Sequence, residues 1–237
     1  SYTELLKEWL DKLDTLTPTR KYIIKEIREF LKKPEIYIKN EFKEKVLSLN
    51  LPKYELVEEK NKSSFTIVFD KLTDRENASN VLSANGVRYR TGKTLVPFRL
   101  TGNIEWGVKV PDTDKLKGLT FWVWPESLWA PISFTKTYLK DDGELWKDWW
   151  CSDSSKVYQF IGEDNIYFYG PAQSGIWLAT QGNNPSVDVK DGNLEFTQIV
   201  ANKHTLFLGR KASSSSETPP PMAKDLLSYY TSEQIRA

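Results

Sequence analysis

A glycine and a carboxylate at the end of an apolar run form the stretch of this sequence best suited to chemistry. In V-Y-Q-F-I-G-E-D-N-I-Y-F-Y-G-P-A, residues 157–172, Tyr158, Phe160 and Ile161 suit a buried strand, and Gly162-Glu163-Asp164-Asn165 then turns polar. In open α/β sheets, ligands gather beyond the carboxyl ends of strands, where a glycine lets the backbone approach them and an acid can bond a ribose hydroxyl. The same order also builds an ordinary strand-to-helix turn, and the segment alone leaves both readings open. Arg88, Arg90, Lys93 and Arg99 form one locally basic patch, which reads as a phosphate contact or as a solvated face.

Composition narrows the setting. The chain of 237 residues is long enough to bury a sizeable core in one large or two unequal parts. Its 33 basic and 32 acidic residues leave a net charge of +1, which offers no global field toward nucleic acid or an anionic membrane. A single cysteine, Cys151, rules out an internal disulfide, and with His204 as the single histidine no four-ligand Cys/His zinc site can be assembled. No apolar run approaches the roughly 20 residues of a membrane span, and the charged start does not read as a signal peptide. The expected location is cytoplasmic. Nine tryptophans are unusual, and Trp122, Trp124, Trp129, Trp146, Trp149, Trp150 and Trp177 crowd one region. They imply either a core of large side chains or the wall of a pocket.

The elements that must hold these residues follow from periodicity. Leu5, Leu6, Trp9, Leu10 and Leu13 share one face of a helix over residues 2–14, and Ile23, Ile27, Phe30 and Leu31 share one face of a second, which Thr19 can cap and Pro34 ends. Residues 39–49 suit a short third helix. Alternation at Phe65, Ile67 and Phe69 predicts a strand, and Asn85-Gly86 a turn before an extended stretch over 87–98. Further strands are expected at 104–110 and 121–124, a loop at 126–131, helices at 132–139 and about 144–150, the strand at 157, and a helix over about 171–179. Gly182 to Asn193 reads as a loop. Short β runs at 198–200 and 205–208 precede Gly209-Arg210-Lys211. The serines 213–216 and prolines 219–221 that follow read as a flexible linker, before a final helix holding Met222, Leu226, Leu227, Tyr229 and Tyr230. Strands alternating with helices from residue 121 onward describe a parallel α/β sheet.

Four segments in order carry a family likeness. I-E-W-G-V-K-V-P at 104–111 resembles a W-G-x-x-V-P element of class I methionyl-tRNA synthetases, and V-W-P-E-S-L-W-A-P-I-S-F-T at 123–135 is similar to their V-W-x-D-A-P-I-G-Y-I-S-x-T stretch. Y-Q-F-I-G-E-D-N-I-Y-F-Y resembles their F-x-G-K-D-N-x-x-F-H strand and loop, and G-R-K-A-S-S-S-S-E at 209–217 occupies the place of the K-M-S-K-S loop. The resemblance implies half of a doubly wound parallel, Rossmann-type sheet, with an N-terminal helical and small β insertion. On that reading residues 1–100 are a connective-type segment and 101–237 the C-terminal half of the catalytic domain.

The resemblance also implies an activity: ATP-dependent activation of methionine to methionyl-adenylate and transfer to tRNA, with magnesium accompanying the ATP. Positioning and charge stabilisation dominate such chemistry. Trp124 matches the tryptophan that closes the methionine pocket, and Ser127, Leu128, Pro131, Asn165 and Tyr169 fall at other pocket positions. Asp164 matches the acid on the ribose, Gly162 the glycine against the nucleotide, and Lys211 the first lysine of the mobile loop, a catalytic position that neutralises pyrophosphate.

Several positions depart from the family pattern. Ser127-Leu128 replaces Ala-Pro, Pro131 a tyrosine, Tyr169 a histidine, and Ser214 the second loop lysine, for which Lys203, Arg210 or Lys224 can substitute. The H-I-G-H motif and the zinc knuckle have no counterpart. The chain is therefore expected to be a piece of a synthetase, inactive alone, with the H-I-G-H half and an anticodon domain outside it. A degenerate module that binds amino acid, adenylate or RNA without catalysis is the alternative, motivated by Ser214 and Tyr169.

Overall fold

A computed structural model describes residues 2–16, 19–113, 115–140, 145–207 and 209–236. Two amphipathic helices open the chain, α1 (Thr3–Leu16) and α2 (Lys21–Phe30). Helix α2 starts behind an extended Arg20, so Thr19 is not its cap. Leu6, Trp9, Leu10 and Leu13 of α1 and Ile23, Ile24 and Ile27 of α2 are buried together, as their spacing predicts. Arg28 fastens the pair with ion pairs to Asp11 at 2.7 Å and Asp14 at 3.3 Å.

A four-stranded antiparallel sheet comes next. Its strands are β1 (Glu35–Lys39), β2 (Glu55–Glu58), β3 (Ser64–Val68) and β4 (Tyr89–Thr91), in the order β2-β3-β1-β4. Helix α3 (Lys43–Ser48) follows β1, after a short 3-10 turn, and α4 (Leu72–Ala84) follows β3. Ile36 and Ile38 on β1 and Phe65 and Ile67 on β3 alternate into a core closed by Val46, Phe69, Ala78, Leu82 and Val87. Helix α4 escapes the periodicity reading because Ala78 and Leu82, one turn apart, are its only buried residues. The extended stretch expected over 87–98 is a strand only at β4.

The next expectations need correction. Residues 104–110 are not a strand: β5 (Thr101–Gly102) pairs with β6 (Thr120–Phe121), and Lys109 makes a single bridge to Thr120. Buried Thr120 organises this loop, donating from Oγ1 to the Ile104 carbonyl at 2.6 Å and accepting from Lys109 Nζ at 3.1 Å. Gly107 lies at φ +130°, and a Cβ there would stand 2.7 Å from the Thr120 methyl, so the glycine of the Trp-Gly pair is required. Trp106 itself is exposed.

Likewise, the expected strand over 121–124 and loop over 126–131 are mostly one helix, α5 (Val123–Tyr138). Pro125 falls in its first turn, where a missing N–H costs nothing, so the proline starts this helix instead of breaking it. Pro131 lies inside α5 and cannot donate a backbone hydrogen bond there. Helix α6 (Trp146–Trp150) is shorter than expected, and the start of that expected helix lies outside the described residues.

The remaining elements are β7 (Tyr158–Gly162), a 3-10 turn (Glu163–Asn165), a π-helical turn (Phe168–Ala172), α7 (Gln173–Thr180) and β8 (Gln198–Asn202). Strands β7 and β8 pair in parallel, Tyr158 opposite Gln198 through Gly162 opposite Asn202, which makes a βαβ unit. A hairpin of β9 (Leu206–Phe207) and β10 (Arg210–Lys211) follows. The final helix expected from the sequence is two short ones, α8 (Ala223–Leu226) and α9 (Ser232–Arg236). The protein is thus mixed α/β, and β7–β8 is the one parallel pairing among the described residues.

Three clusters make the interior. Helices α1 and α2 share theirs with Ile166, Leu178, Val187, Ile199 and Ala201, around the βαβ unit and not the four-stranded sheet. Residues 1–100 therefore contribute to two cores. A third cluster holds Ile132, Trp150, Cys151, Trp177 and Leu194, with Trp129 and Trp146 against it. The tryptophans consequently divide between core and surface, Trp149 being exposed.

Candidate active site

Strand β7 delivers its chain to Gly162, and the 3-10 turn sets Asp164 just beyond the strand's carboxyl end. Asp164 Oδ1 lies 2.8 Å from where a Cβ on Gly162 would stand. Any side chain at 162 would push the carboxylate out of place. The other oxygen, Oδ2, faces two nitrogen-bearing side chains from the following segment. Lys211 Nζ on β10 lies 3.5 Å from it, and His204 Nε2, just ahead of β9, lies 3.7 Å from it. Asp164 and Lys211 are each more than half exposed, so this pairing contributes at most about 1 kcal/mol of stability.

Around this group, the walls come from distant segments. A cleft of about 420 Å³ beside Asp164 is lined by Tyr22 and Glu26 of α2, Lys93, Glu163 and Ile166. Tyr22 donates a hydrogen bond to the Ala201 carbonyl on β8, which locks α2 onto the sheet. Lys93 pairs with Glu26 and lies 5.1 Å over the Phe30 ring, while Arg99 lies 5.2 Å over Trp122. These two members of the basic patch are thus engaged with partners and are not a bare solvated face. Arg88 and Arg90 line a separate hollow with Tyr37 and Tyr89.

Beside Lys211, a hollow of about 490 Å³ is lined by Phe207, Arg210 and residues 211–213 and 216–218. Of the three cations considered as substitutes for a second lysine, Arg210 alone lines it. The serine-rich segment makes its own hydrogen bonds: Ser216 Oγ lies 2.8 Å from the carbonyls of both Ser213 and Thr218, which share its one proton, and Ser213 and Ser215 hydroxyls meet at 3.0 Å. It is a built turn where composition suggested a linker.

The aromatic side of the site is organised by Trp124. Its ring lies flat on Phe168 at 3.7 Å and 3°. Tyr167 stands edge-on to Phe168 and to Phe30. The Tyr167 hydroxyl donates to the Val96 carbonyl at 3.0 Å and accepts from the Val96 amide at 3.3 Å. Burial raises the Tyr167 phenol above the ordinary tyrosine range, and the Val96 amide offsets part of that rise. The phenol therefore stays a donor, tying residue 96 to the turn after Asp164. Trp124 and Phe168 open onto a cleft of about 680 Å³ whose other walls include Trp122, Tyr167 and the segment 96–99.

The other residues matched to the methionine pocket each have local partners or places in their own elements. Ser127 Oγ donates to the Val123 carbonyl of its own helix at 3.1 Å. Leu128 is fully buried, and its carbonyl accepts from Gln173 Nε2 at 3.2 Å, Gln173 Oε1 in turn accepting from Thr197 Oγ1 at 2.9 Å. Pro131 is half-buried, and its carbonyl accepts from Thr135 Oγ1, which accepts from Trp150 Nε1 at 2.9 Å. Asn165 ends the 3-10 turn, and Tyr169 lies half-buried in the π turn. None of these five lines the cleft beside Trp124. The structure therefore brings together Asp164, Gly162 and Lys211, and separately Trp124 with Phe168. Sequence reasoning missed His204 at Asp164 and Phe168 under Trp124. The signal for His204 was its place directly before a two-strand hairpin that returns to Lys211.

A strand–glycine–acid turn on a βαβ unit, met by Lys211 of the following hairpin, marks a mixed α/β protein with polar groups gathered at a strand's carboxyl end. The family model described as tRNA synthetases class I (M) matches residues 70–236, and the chain belongs to that family. Similar curated relatives are methionine--tRNA ligases. Those of Chlorobaculum tepidum, Sulfolobus acidocaldarius and Picrophilus torridus are 31%, 33% and 32% identical over 142, 125 and 169 residues. The matches cover 58%, 51% and 67% of this chain and 19%, 20% and 23% of the respective relatives, so the chain spans about a fifth of their length.

Proposed function

We propose that this chain supplies one half of an adenylate-forming site for methionine and ATP, with tRNA as acceptor. The observation that carries the reading is the convergence of Asp164 and Lys211 at the end of β7. Asp164 accepts the ribose hydroxyls of ATP, Gly162 keeps the carboxylate in place, and Lys211, released from Asp164, neutralises the departing pyrophosphate. The methionine carboxylate oxygen attacks the α-phosphorus, the bond from that phosphorus to the α,β-bridging oxygen breaks, and pyrophosphate leaves with the bridging oxygen and its electron pair. Trp124 covers the amino-acid side chain, with Ser127, Leu128, Pro131, Asn165 and Tyr169 shaping the pocket behind it. Magnesium arrives on the ATP phosphates: no group of three or more His, Cys, Asp or Glu is gathered among the described residues, and this ion is held mainly by phosphates and water in such sites.

On this reading the β7–β8 pair extends, with strands outside this chain, into a doubly wound sheet. The four-stranded sheet acts as the connective insertion, and a partner half supplies the groups that hold the ATP phosphates. Calorimetry with a non-hydrolysable methionyl-adenylate mimic tests it: the chain binds the mimic, and Asp164→Asn weakens binding. The chain alone gives no methionine-dependent ATP–pyrophosphate exchange, and turnover would refute the half-site reading. A second reading, a binding module without catalysis, is favoured by Ser214 at the second lysine position. A completed protein that bound the mimic yet exchanged no pyrophosphate would establish it.

A further inference from the structure

We propose that the open face of the four-stranded sheet binds a free nucleoside monophosphate, its phosphate on Arg88, Arg90 and Lys39 and its base against the Tyr37 ring. The sheet is a split βαβ unit, β1-α3-β2-β3-α4-β4, and both helices pack on one side of it: Val46 of α3 and Ala78 and Leu82 of α4 share a core with Ile36, Ile38, Phe65 and Ile67. Alternation sends Tyr37 and Lys39 of β1 to the other side, which neither helix covers. Arg90 stands opposite Tyr37 and Ser64 opposite Lys39, so a ring, a hydroxyl and two cations share that face. Arg88 joins them around a hollow of about 300 Å³, which Ser63 also lines. The family match begins at residue 70, so Tyr37, Lys39, Ser63 and Ser64 lie outside it.

The lining suits an anion joined to a flat ring. Lys39, Arg88 and Arg90 are exposed and carry no ion pair among the described residues, whereas Lys43, one helical turn beyond Lys39, is tied to Glu58 at 2.7 Å. Uncommitted charges around one hollow favour a phosphate, which guanidinium groups grip in a fork and serine hydroxyls reach by hydrogen bonds. Tyr37 supplies the ring, and it is held before any ligand arrives. Its hydroxyl donates to Glu35, and a Cβ on Gly92 would stand 3.3 Å from its Cε2 and its hydroxyl oxygen, so glycine at 92 lets the ring settle against the end of β4. Such a ring stacks any base. The hollow lies at the lower end of small-ligand volumes, room for one nucleotide. Beyond Tyr37 the face turns acidic: Glu35 and Glu55 flank Val68, each opposite it in the register. Their charges oppose a phosphodiester chain laid across the sheet, which favours a free nucleotide over a nucleic-acid strand.

The test is calorimetry of the 237-residue chain with 5′-GMP, guanosine and inorganic phosphate. GMP should bind, and guanosine and phosphate should each bind at least about tenfold more weakly, since each lacks one half of the contacts. Arg88→Gln and Arg90→Gln should each weaken GMP roughly tenfold by removing a charged hydrogen bond. Tyr37→Ala should weaken it by a similar factor, whereas Tyr37→Phe, which keeps the ring, should retain most of the affinity and serves as the folding control. Asp164→Asn should leave it unchanged. Absence of GMP binding, or an affinity no higher than that of phosphate, overturns the proposal. So does a loss in Asp164→Asn with none in Arg88→Gln and Arg90→Gln, which puts GMP in the adenylate site. A single-stranded trinucleotide with a 5′ hydroxyl that bound more tightly than GMP would assign the face to nucleic acid and overturn it as well. Affinity for the methionyl-adenylate mimic should not change in Arg88→Gln, so this inference and the proposed function fail separately.

Discussion

The four-stranded sheet and the βαβ unit solve the same burial problem in opposite ways. Strand β1, strand β3 and helix α4 lie within one stretch of chain, and Ile36, Ile38, Phe65 and Ile67 reach almost complete burial by simple alternation. The βαβ unit gets its core from far away: Ile27 of α2 packs where Gly170 and Ile199 meet, and Tyr22 reaches the Ala201 carbonyl across 179 positions. The polar cluster at the end of β7 goes with the second arrangement. Asp164, Lys211 and His204 remain partly exposed on a framework assembled from both ends of the chain. Local closure favours a self-sufficient scaffold, while long-range closure leaves an edge at which distant side chains can meet a ligand.

Mutations that hit one region should leave a readout of the other unchanged, if the two cores are energetically separate. Phe65→Ala, in the centre of the sheet core, should cost about 3–5 kcal/mol in chemical denaturation and leave affinity for the adenylate mimic unchanged under folding conditions. Ile27→Ala should cost about 2–5 kcal/mol and weaken the mimic as well, because α2 walls the Asp164 cleft. If Phe65→Ala harms binding as much as Ile27→Ala does, the regions are one unit. Gly170→Ala sharpens the comparison from the other side: its new Cβ would lie 3.0 Å from two Ile27 carbons, and overpacking of this kind costs about 1–3 kcal/mol. The double variant Gly170→Ala/Ile27→Val should recover part of that loss.

Smaller effects separate structure from function more cleanly. Lys211→Gln should change stability by less than about 1 kcal/mol, since its ion pair is exposed, yet should abolish the contribution of this loop to pyrophosphate binding by calorimetry. A change in stability without a change in binding would remove Lys211 from the site. The sheet has its own signature at alkaline pH. Burial, with the nearby Glu35 carboxylate second, pushes the Tyr37 phenol from 10.0 up to about 12, and its hydroxyl donates to Glu35 Oε2 at 2.5 Å. The folded state thus holds this proton more tightly than the unfolded chain, so the stabilisation is complete below pH 10 and disappears as pH rises toward about 12. Tyr37→Phe should flatten that part of the stability–pH curve without touching the mimic.

Much of the architecture was legible because apolar spacing reports burial directly. The stripes of α1 and α2 and the alternation of β3 keep their expected form, and β7 keeps its strand–glycine–acid order, but β7 is not the buried strand its apolar run suggested: Tyr158 and Phe160 are exposed. The misread elements share a cause: a residue whose local preference was overruled by position. Pro125 stands between the strand expected at 121–124 and the loop expected at 126–131, yet it sits in the first turn of α5. Ile104, Trp106 and Val108 alternate like a strand but run along a loop pinned by buried Thr120. For α4, two buried residues in thirteen are too few to show a period.

By itself, the sequence determined which residues carry charge, which faces are apolar, and that Gly162, Asp164 and Lys211 occur in an order similar to a class I synthetase. Side-chain type and spacing are local properties, so they can be read without coordinates. Only the tertiary structure decided that Lys211 and His204 converge on the same oxygen of Asp164, that α2 walls that site, and that Trp124 pairs with Phe168 beside an aromatic cleft. Those pairings join segments far apart in the chain. They depend on which apolar faces share a core, and no local pattern of residues encodes that choice.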